Sequence, residues 1–223
     1  MPATQENYSS KPFLSIINGK LRQKVDEGTP NAVYREGKTP KGDVFSKWEL
    51  VYPGWSGVVM DIRVFENDFG ETCNIEFEDA IISFGTERTF FSDFIKKFAS
   101  ADPKKEIVVS PYDFVTDEGK RKSGITLVQD GKKLADYFTK WDGRTPTYLH
   151  GYPQPEPGMD KDGWKVYFIE VKRFCKKWIE EHPINNIAAG KIEEPTESES
   201  EPGTGVLDRD DDKSEIKIES IPF

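Results

Sequence analysis

The stretch from Gly57 to Ala80, GVVMDIRVFENDFGETCNIEFEDA, decides how the rest of the chain is read. Val58, Met60, Ile62 and Val64 fall at every second residue, and Cys73, Ile75 and Phe77 alternate with Asn74, Glu76 and Glu78. A period of two sends successive side chains to opposite sides of a strand, so both segments predict half-buried strands with those apolar residues in the core. Between them ENDFGE (66–71) carries Gly70, which can take the positive φ of a tight turn. The two strands therefore form an antiparallel hairpin.

Working outward, AIISF (80–84) extends the β pattern, and after Thr89 the period changes. Phe91, Phe94, Ile95 and Phe98 recur at helical spacing, which predicts roughly three turns of helix ended by Pro103. β signals resume in EIVVSPYDFV (106–115), SGITLVQ (123–129) and KKLADYF (132–138), separated by TDEGKRK and by Asp130-Gly131. The proline-rich run from Trp141 to Gly163 reads as irregular, and Trp164 to Glu181 as a second helix before Pro183. Upstream, FLSIINGKLRQKV (13–25) reads as one strand that leaves the core after Gly19. Asp26 to Asp43 reads as a long loop holding a short strand, AVYRE, and KWELVYPGW (47–55) continues the sheet.

This order predicts a mainly β protein: an OB-fold-like, partly open five-stranded antiparallel barrel, with one helix between strands 3 and 4 and an added C-terminal helix. A plain antiparallel sheet or sandwich decorated by two helices is the alternative. The predicted organisation is a flexible N-terminus over 1–11, a folded body over 12–183 and a disordered acidic tail over 184–223.

The formal charge of −9 argues at first against an anionic partner. Between Lys191 and Phe223, however, eleven acids face four bases, so that segment carries −7 and leaves the body at −2. Five Trp, eight Tyr and fifteen Phe are more rings than one core of this size requires. Cys73 and Cys175 are the only cysteines, and with two histidines they make no zinc set. They read as reduced thiols of a cytoplasmic protein. The first residues hold no apolar signal segment, and no apolar run is long enough to span a bilayer.

An OB-type body binds oligomers on strands two and three and in the loops after strands one and four. The first loop and the strand after it hold Arg35, Lys38, Lys41, Lys47, Trp48, Tyr52 and Trp55; the second holds Lys120, Arg121 and Lys122, just after Tyr112 and Phe114. Arg63, Phe65 and Phe69 lie on the strand-two hairpin. Cations attract a phosphate backbone and rings stack on unpaired bases, so this interleaving predicts a single-strand contact surface. Each ring has a competing place in a core. An enzymatic reading rests on Glu170 and Lys172 after Asp160 and Asp162, the carboxylate and ExK spacing of metal-dependent nucleases. That motif needs a strand, whereas the surrounding apolar spacing is helical. No catalytic residue, metal or cofactor is expected.

The tail closes on LDRDDDKSEIKIESIPF, where Asp210, Asp211 and Asp212 precede a terminus of Ile221, Pro222 and Phe223. A ring followed by the α-carboxylate is an apolar and anionic knob suited to a pocket rimmed by cations. This ending resembles the C-terminal tip of single-stranded DNA-binding proteins of bacterial type, although KSEIKIES separates the acids from the tip. The long loops and extra helix resemble divergent, phage-encoded members. The resemblance implies a non-enzymatic protein that coats single-stranded DNA, is compatible with a homo-oligomer, and recruits replication, recombination and repair proteins through its tip. It would work in the cytoplasm, at the nucleoid or in a phage-infected host. A protein-interaction adaptor that touches no DNA is the rival.

Overall fold

The computed structural model describes residues 11–38, 42–68, 70–143 and 145–184. The acidic tail with Asp210, Asp211, Asp212, Ile221, Pro222 and Phe223, the N-terminal ten residues, Lys41 and Phe69 lie outside the described residues.

Asn18 and Gly19 both take positive φ, 50° and 67°. This is the backbone of a two-residue hairpin turn whose twist matches the flanking strands. FLSIINGKLRQKV is therefore two paired strands, β1 (Phe13–Ile17) and β2 (Lys20–Val25), in place of the one expected. The short strand expected within the long loop is β3 (Val33–Lys38), which runs two residues further than AVYRE and pairs along its whole length with β4 (Val44–Tyr52). After Pro53-Gly54 the chain continues as β5 (Trp55–Gly57), then β6 (Val59–Asn67), β7 (Gly70–Phe77), β8 (Ile81–Gly85) and α1 (Thr89–Phe98). Next come β9 (Ile107–Val115), β10 (Arg121–Gln129), the two-residue β11 (Lys132–Lys133), β12 (Thr139–Asp142), β13 (Thr145–Tyr148) and α2 (Lys161–Glu181).

The described residues thus form a mainly β protein with two helices and thirteen strands, not five. They build a seven-stranded open sheet in the order β3-β4-β2-β1-β8-β7-β6, a four-stranded sheet β11-β10-β9-β5 and the β12-β13 hairpin. The arrangement is not wholly antiparallel, because β1 and β8 run parallel. The β12-β13 hairpin lies in the stretch expected to be irregular; its turn follows the Asp142–Thr145 pair and includes Gly143 at φ 62°.

One face of the large sheet is apolar. Leu14, Leu21, Ile62, Cys73, Ile75, Phe77, Ile82 and Phe84 are buried there. They join Ile107, Val109, Ile125 and Leu127 of the second sheet in a single core. α1 contributes Phe91, Phe94, Ile95 and Phe98, the four residues its spacing predicted, and α2 adds Val171, Cys175 and Trp178. Asp93 ties α1 to β10, because its Oδ2 accepts from the Ile125 backbone N–H at 2.6 Å and from Lys97 Nζ at 2.8 Å. The expected placement of Met60 in the core is corrected. The β6–β7 register shifts between Val59 and Asp61, so Val59 and Ile62 both point inward and Met60 is 53% exposed. The extra residue of a bulge reverses the alternation on one side of it.

Two glycines in positive φ separate steric fit from backbone strain. A Cβ at Gly19 would lie 2.3 Å from the Asp113 backbone N, whereas one at Gly28 (φ 83°) would meet nothing within 4 Å. Gly28→Ala should cost about 1 kcal/mol, the left-handed strain alone. Gly19→Ala should cost at least about 2 kcal/mol more, because main chain cannot move aside cheaply. Urea unfolding midpoints of the two variants measure the difference; equal losses would show that the β1–β2 turn does not abut β9 this closely.

Candidate nucleic-acid interface

The pairing register assigns every strand residue of the large sheet to one of its two faces. Arg35 opposes Lys47, Val33 and Lys24 oppose Glu49, and Arg22 opposes Val51. Arg22 also opposes Ser15, Ser15 opposes Ser83, Asn74 opposes both Ser83 and Arg63, and Phe65 opposes Thr72. Opposed residues point the same way. The face turned away from the core therefore carries Lys20, Arg22, Lys24, Arg35, Lys47 and Arg63, with Phe13, Phe45 and Phe65 among them. Adding Lys11, which bonds Glu76 at 2.6 Å, seven bases face only Glu49, Asp61 and Glu76. That is about +4 on one face of a chain of −9.

The centre of the positive end is Glu49, 2% exposed. Its carboxylate accepts from Arg35 Nε at 2.8 Å, Arg35 Nη2 at 2.7 Å and Arg22 Nη1 at 3.0 Å, with Lys47 Nζ at 3.2 Å. Burial pushes this carboxyl upward, but the hydrogen bonds from Arg35, Lys47 and Arg22 outweigh it and bring the pKa down to about 2. The same pairing raises the Arg35 pKa further. Phe45 lies beneath two of the cations, with Arg35 Cζ 5.0 Å and Lys47 Nζ 5.3 Å from its ring centroid. Its ring crosses Gly37, where a Cβ would stand 2.6 Å from Phe45 Cζ. Arg22, Arg35 and Lys47 are thus held as a rigid group with two positive charges to spare.

The expected contact residues divide between surfaces. Arg35, Lys47, Arg63 and Phe65 share the basic face; Arg63 also pairs with Asp61, and Phe65 is 43% exposed. Trp48 is on the opposite face, beside Tyr34 at 5.2 Å between centroids, and Lys38 is exposed at the end of the edge strand β3. Tyr52 and Trp55 are half-buried at the border of the core. Tyr52 donates to Gln23 at 3.0 Å, Trp55 Nε1 donates to Asp79 at 3.1 Å, and the rings meet edge-on at 5.3 Å. On the second sheet Arg121 forms a two-pronged pair with Asp113 at 2.8 and 2.6 Å, and Lys120 pairs with Glu118 at 3.2 Å. Lys122 is exposed opposite Phe114, which is itself 52% exposed and 5.9 Å from Tyr112. Tyr112 is raised in pKa by burial and by Asp93.

Sequence reading missed Phe13, Lys20, Arg22, Lys24 and Phe45. The signal was present, since Phe13, Ser15 and Ile17, then Lys20, Arg22 and Lys24, alternate on either side of Asn18-Gly19. It also missed Trp141, 68% exposed on β12. Glu170 and Lys172 sit two apart in α2, not in a strand, and Lys172 is engaged by Glu71 and Glu87. Asp160 caps that helix, accepting from the Gly163 backbone at 2.8 Å. No group of acidic, histidine or cysteine side chains among the described residues has the arrangement of a metal site. No helix among them is long and apolar enough to cross a membrane.

No family model, curated protein or solved structure matches this chain.

The Glu49 cluster predicts a specific acid response. Its folded pKa of about 2 lies below the ordinary carboxylate value, so its contribution is complete above about pH 5 and is lost as pH falls through 2. Glu49→Gln should lower stability at pH 7 by about 3 kcal/mol and flatten the decline below pH 5. Urea melts across that range test it; an unchanged acid limb would remove Glu49 as the centre of the cluster.

Proposed function

We propose that the protein binds single-stranded DNA mainly through its phosphate backbone, coats it in replication, recombination and repair, and recruits partner enzymes through its C-terminal tip. The observation that carries this reading is the basic face, where seven bases, three acids and three phenylalanines share one side of a sheet. A polyanion releases counterions on such a face, and unpaired bases can stack on its rings. Phe13, 57% exposed, and Phe65 are available for stacking. Ser15 and Ser83 lie between them and keep the middle of the face low. The finer fold reading is OB-type. It is supported by a strand that bends at Pro53-Gly54 to serve both sheets, and by a helix lying between the β6-β7-β8 meander and the β9-β10 hairpin. The tail function rests on the sequence of Ile221, Pro222 and Phe223 and its likeness to bacterial-type tips.

Lys20 and Lys24 are exposed on this face and bear no fold-determining contact, so they test the reading without disturbing the Glu49 group. Oligo-dT should quench tryptophan fluorescence with an affinity that falls steeply with salt. Lys20→Ala and Lys24→Ala should each reduce the log–log salt slope by about 1. Phe13→Ala should weaken binding by about 1–3 kcal/mol with little change in stability. Removing residues 191–223 should leave oligo-dT affinity intact or tighter and abolish partner capture. Absence of oligonucleotide affinity at low salt, with partner capture through the tip retained, would instead make the protein an adaptor.

A further inference from the structure

Around the β3 edge from the basic face, on the side of the β3–β4 ribbon that carries Trp48, lies an open groove of about 650 Å³ lined by Glu27, Tyr34, Ser46, Lys47 and Trp48. Its two rings are 5.2 Å apart and inclined at 55°, so neither covers the other's face completely. Tyr34 is 47% exposed and held in place by its hydroxyl, which donates to Glu36 at 2.7 Å. Glu27 stands in a turn fixed from Asp26 to Thr29: the Thr29 hydroxyl and backbone N–H both donate to the Asp26 carbonyl, at 2.8 and 3.3 Å. Lys47 belongs both to the groove wall and to the Glu49 cluster. The groove therefore combines planar apolar surface, one carboxylate, two hydroxyls and one cation, across the β3 edge from a site that attracts phosphate.

Resting on the single-strand reading above, we propose that this groove is a nucleobase subsite in which Glu27 favours a base bearing an exocyclic amine. With phosphate on Lys47 and Arg35, the attached base passes over the edge strand β3 and stacks against Tyr34 and Trp48 on its other side. A carboxylate beside an anionic strand is repulsive unless it meets a donor. The cytosine N4 amine is such a donor, and the carboxylate of Glu27 accepts from it. Uracil and thymine present a carbonyl at the same position, oxygen to oxygen. The subsite adds a base preference at one position to binding otherwise led by the backbone.

The experiment compares the full-length chain on short oligo-dT carrying one central dC or one central dU, which differ at that ring position. The dC strand should bind about fivefold tighter, the effect of one hydrogen bond at a partly exposed site. Glu27→Gln, which removes the charge and supplies a donor, should bring the ratio to one by tightening the dU strand and plain oligo-dT, whose O4 atoms then no longer face a carboxylate. Equal binding of dC and dU strands by the natural protein, or a preference that survives Glu27→Gln, overturns this inference while leaving single-strand binding standing. Failure of all three oligonucleotides to bind overturns the single-strand reading and this inference with it.

Discussion

The pleat of the seven-stranded sheet governs the rest of the molecule. With α1, α2 and the second sheet closed over one side, inward positions must be apolar, and Leu14, Leu21, Ile75, Phe77 and Ile82 are wholly buried there. Strand alternation then leaves the intervening residues no place but the opposite side. Lys20, Arg22 and Lys24 share a face because Leu21, Gln23 and Val25 occupy the other; the same alternation across β4 and β3 aligns Lys47 with Arg35. The gathering of positive charge is thus a consequence of burying the core, once those residue types occupy alternate positions.

Gathered cations repel, and the sheet offsets this at three places. Asp61 lies beside Arg63, Glu76 beside Lys11, and Glu49 within reach of Arg22, Arg35 and Lys47. The last is of a different kind, because the carboxylate is buried and its hydrogen bonds fix the cations that surround it. An isolated carboxylate at 2% exposure would be neutral; with three basic partners it stays charged even in acid. Long basic side chains normally lose rotamer freedom when they engage a ligand. Arg35 and Lys47, already held by Glu49 and lying over Phe45, have surrendered part of that freedom on folding. A surface organised in this way meets an anion with less ordering left to do.

What could be read from the sequence followed periodicity. α1 and β7 were legible because one face is apolar at an unbroken period, and the buried set of α1 matched its predicted residues one for one. Asn18-Gly19 was equally legible but is embedded in a run whose polarity changes at the same point, so a turn resembled a strand passing into solvent. The error cost the candidate site Lys20, Arg22 and Lys24. Met60 was not legible, since a bulge obeys the register of its partner strand and leaves no mark in its own. The Glu49 cluster was also hidden: its members are Arg22, Arg35 and Lys47, and only the β2–β4–β3 pairing brings them together. Of the surface rings, Phe65 lies exposed on the basic face as expected, whereas Trp48 and Phe45, three residues apart on β4, fall on opposite faces and only pairing shows which is which.

The overall acidity of the chain does not oppose a basic face at working ionic strength. Charges farther apart than about 8–10 Å are largely screened in physiological salt, so an approaching polyanion responds to the charges nearest its path. Across the large sheet those are the seven bases and three acids of one face, at about +4. The net −9 belongs mostly to residues 191–223, which are joined to the body through the end of α2. The total charge keeps copies of the chain apart in dilute salt, while the local face determines what it can hold at contact.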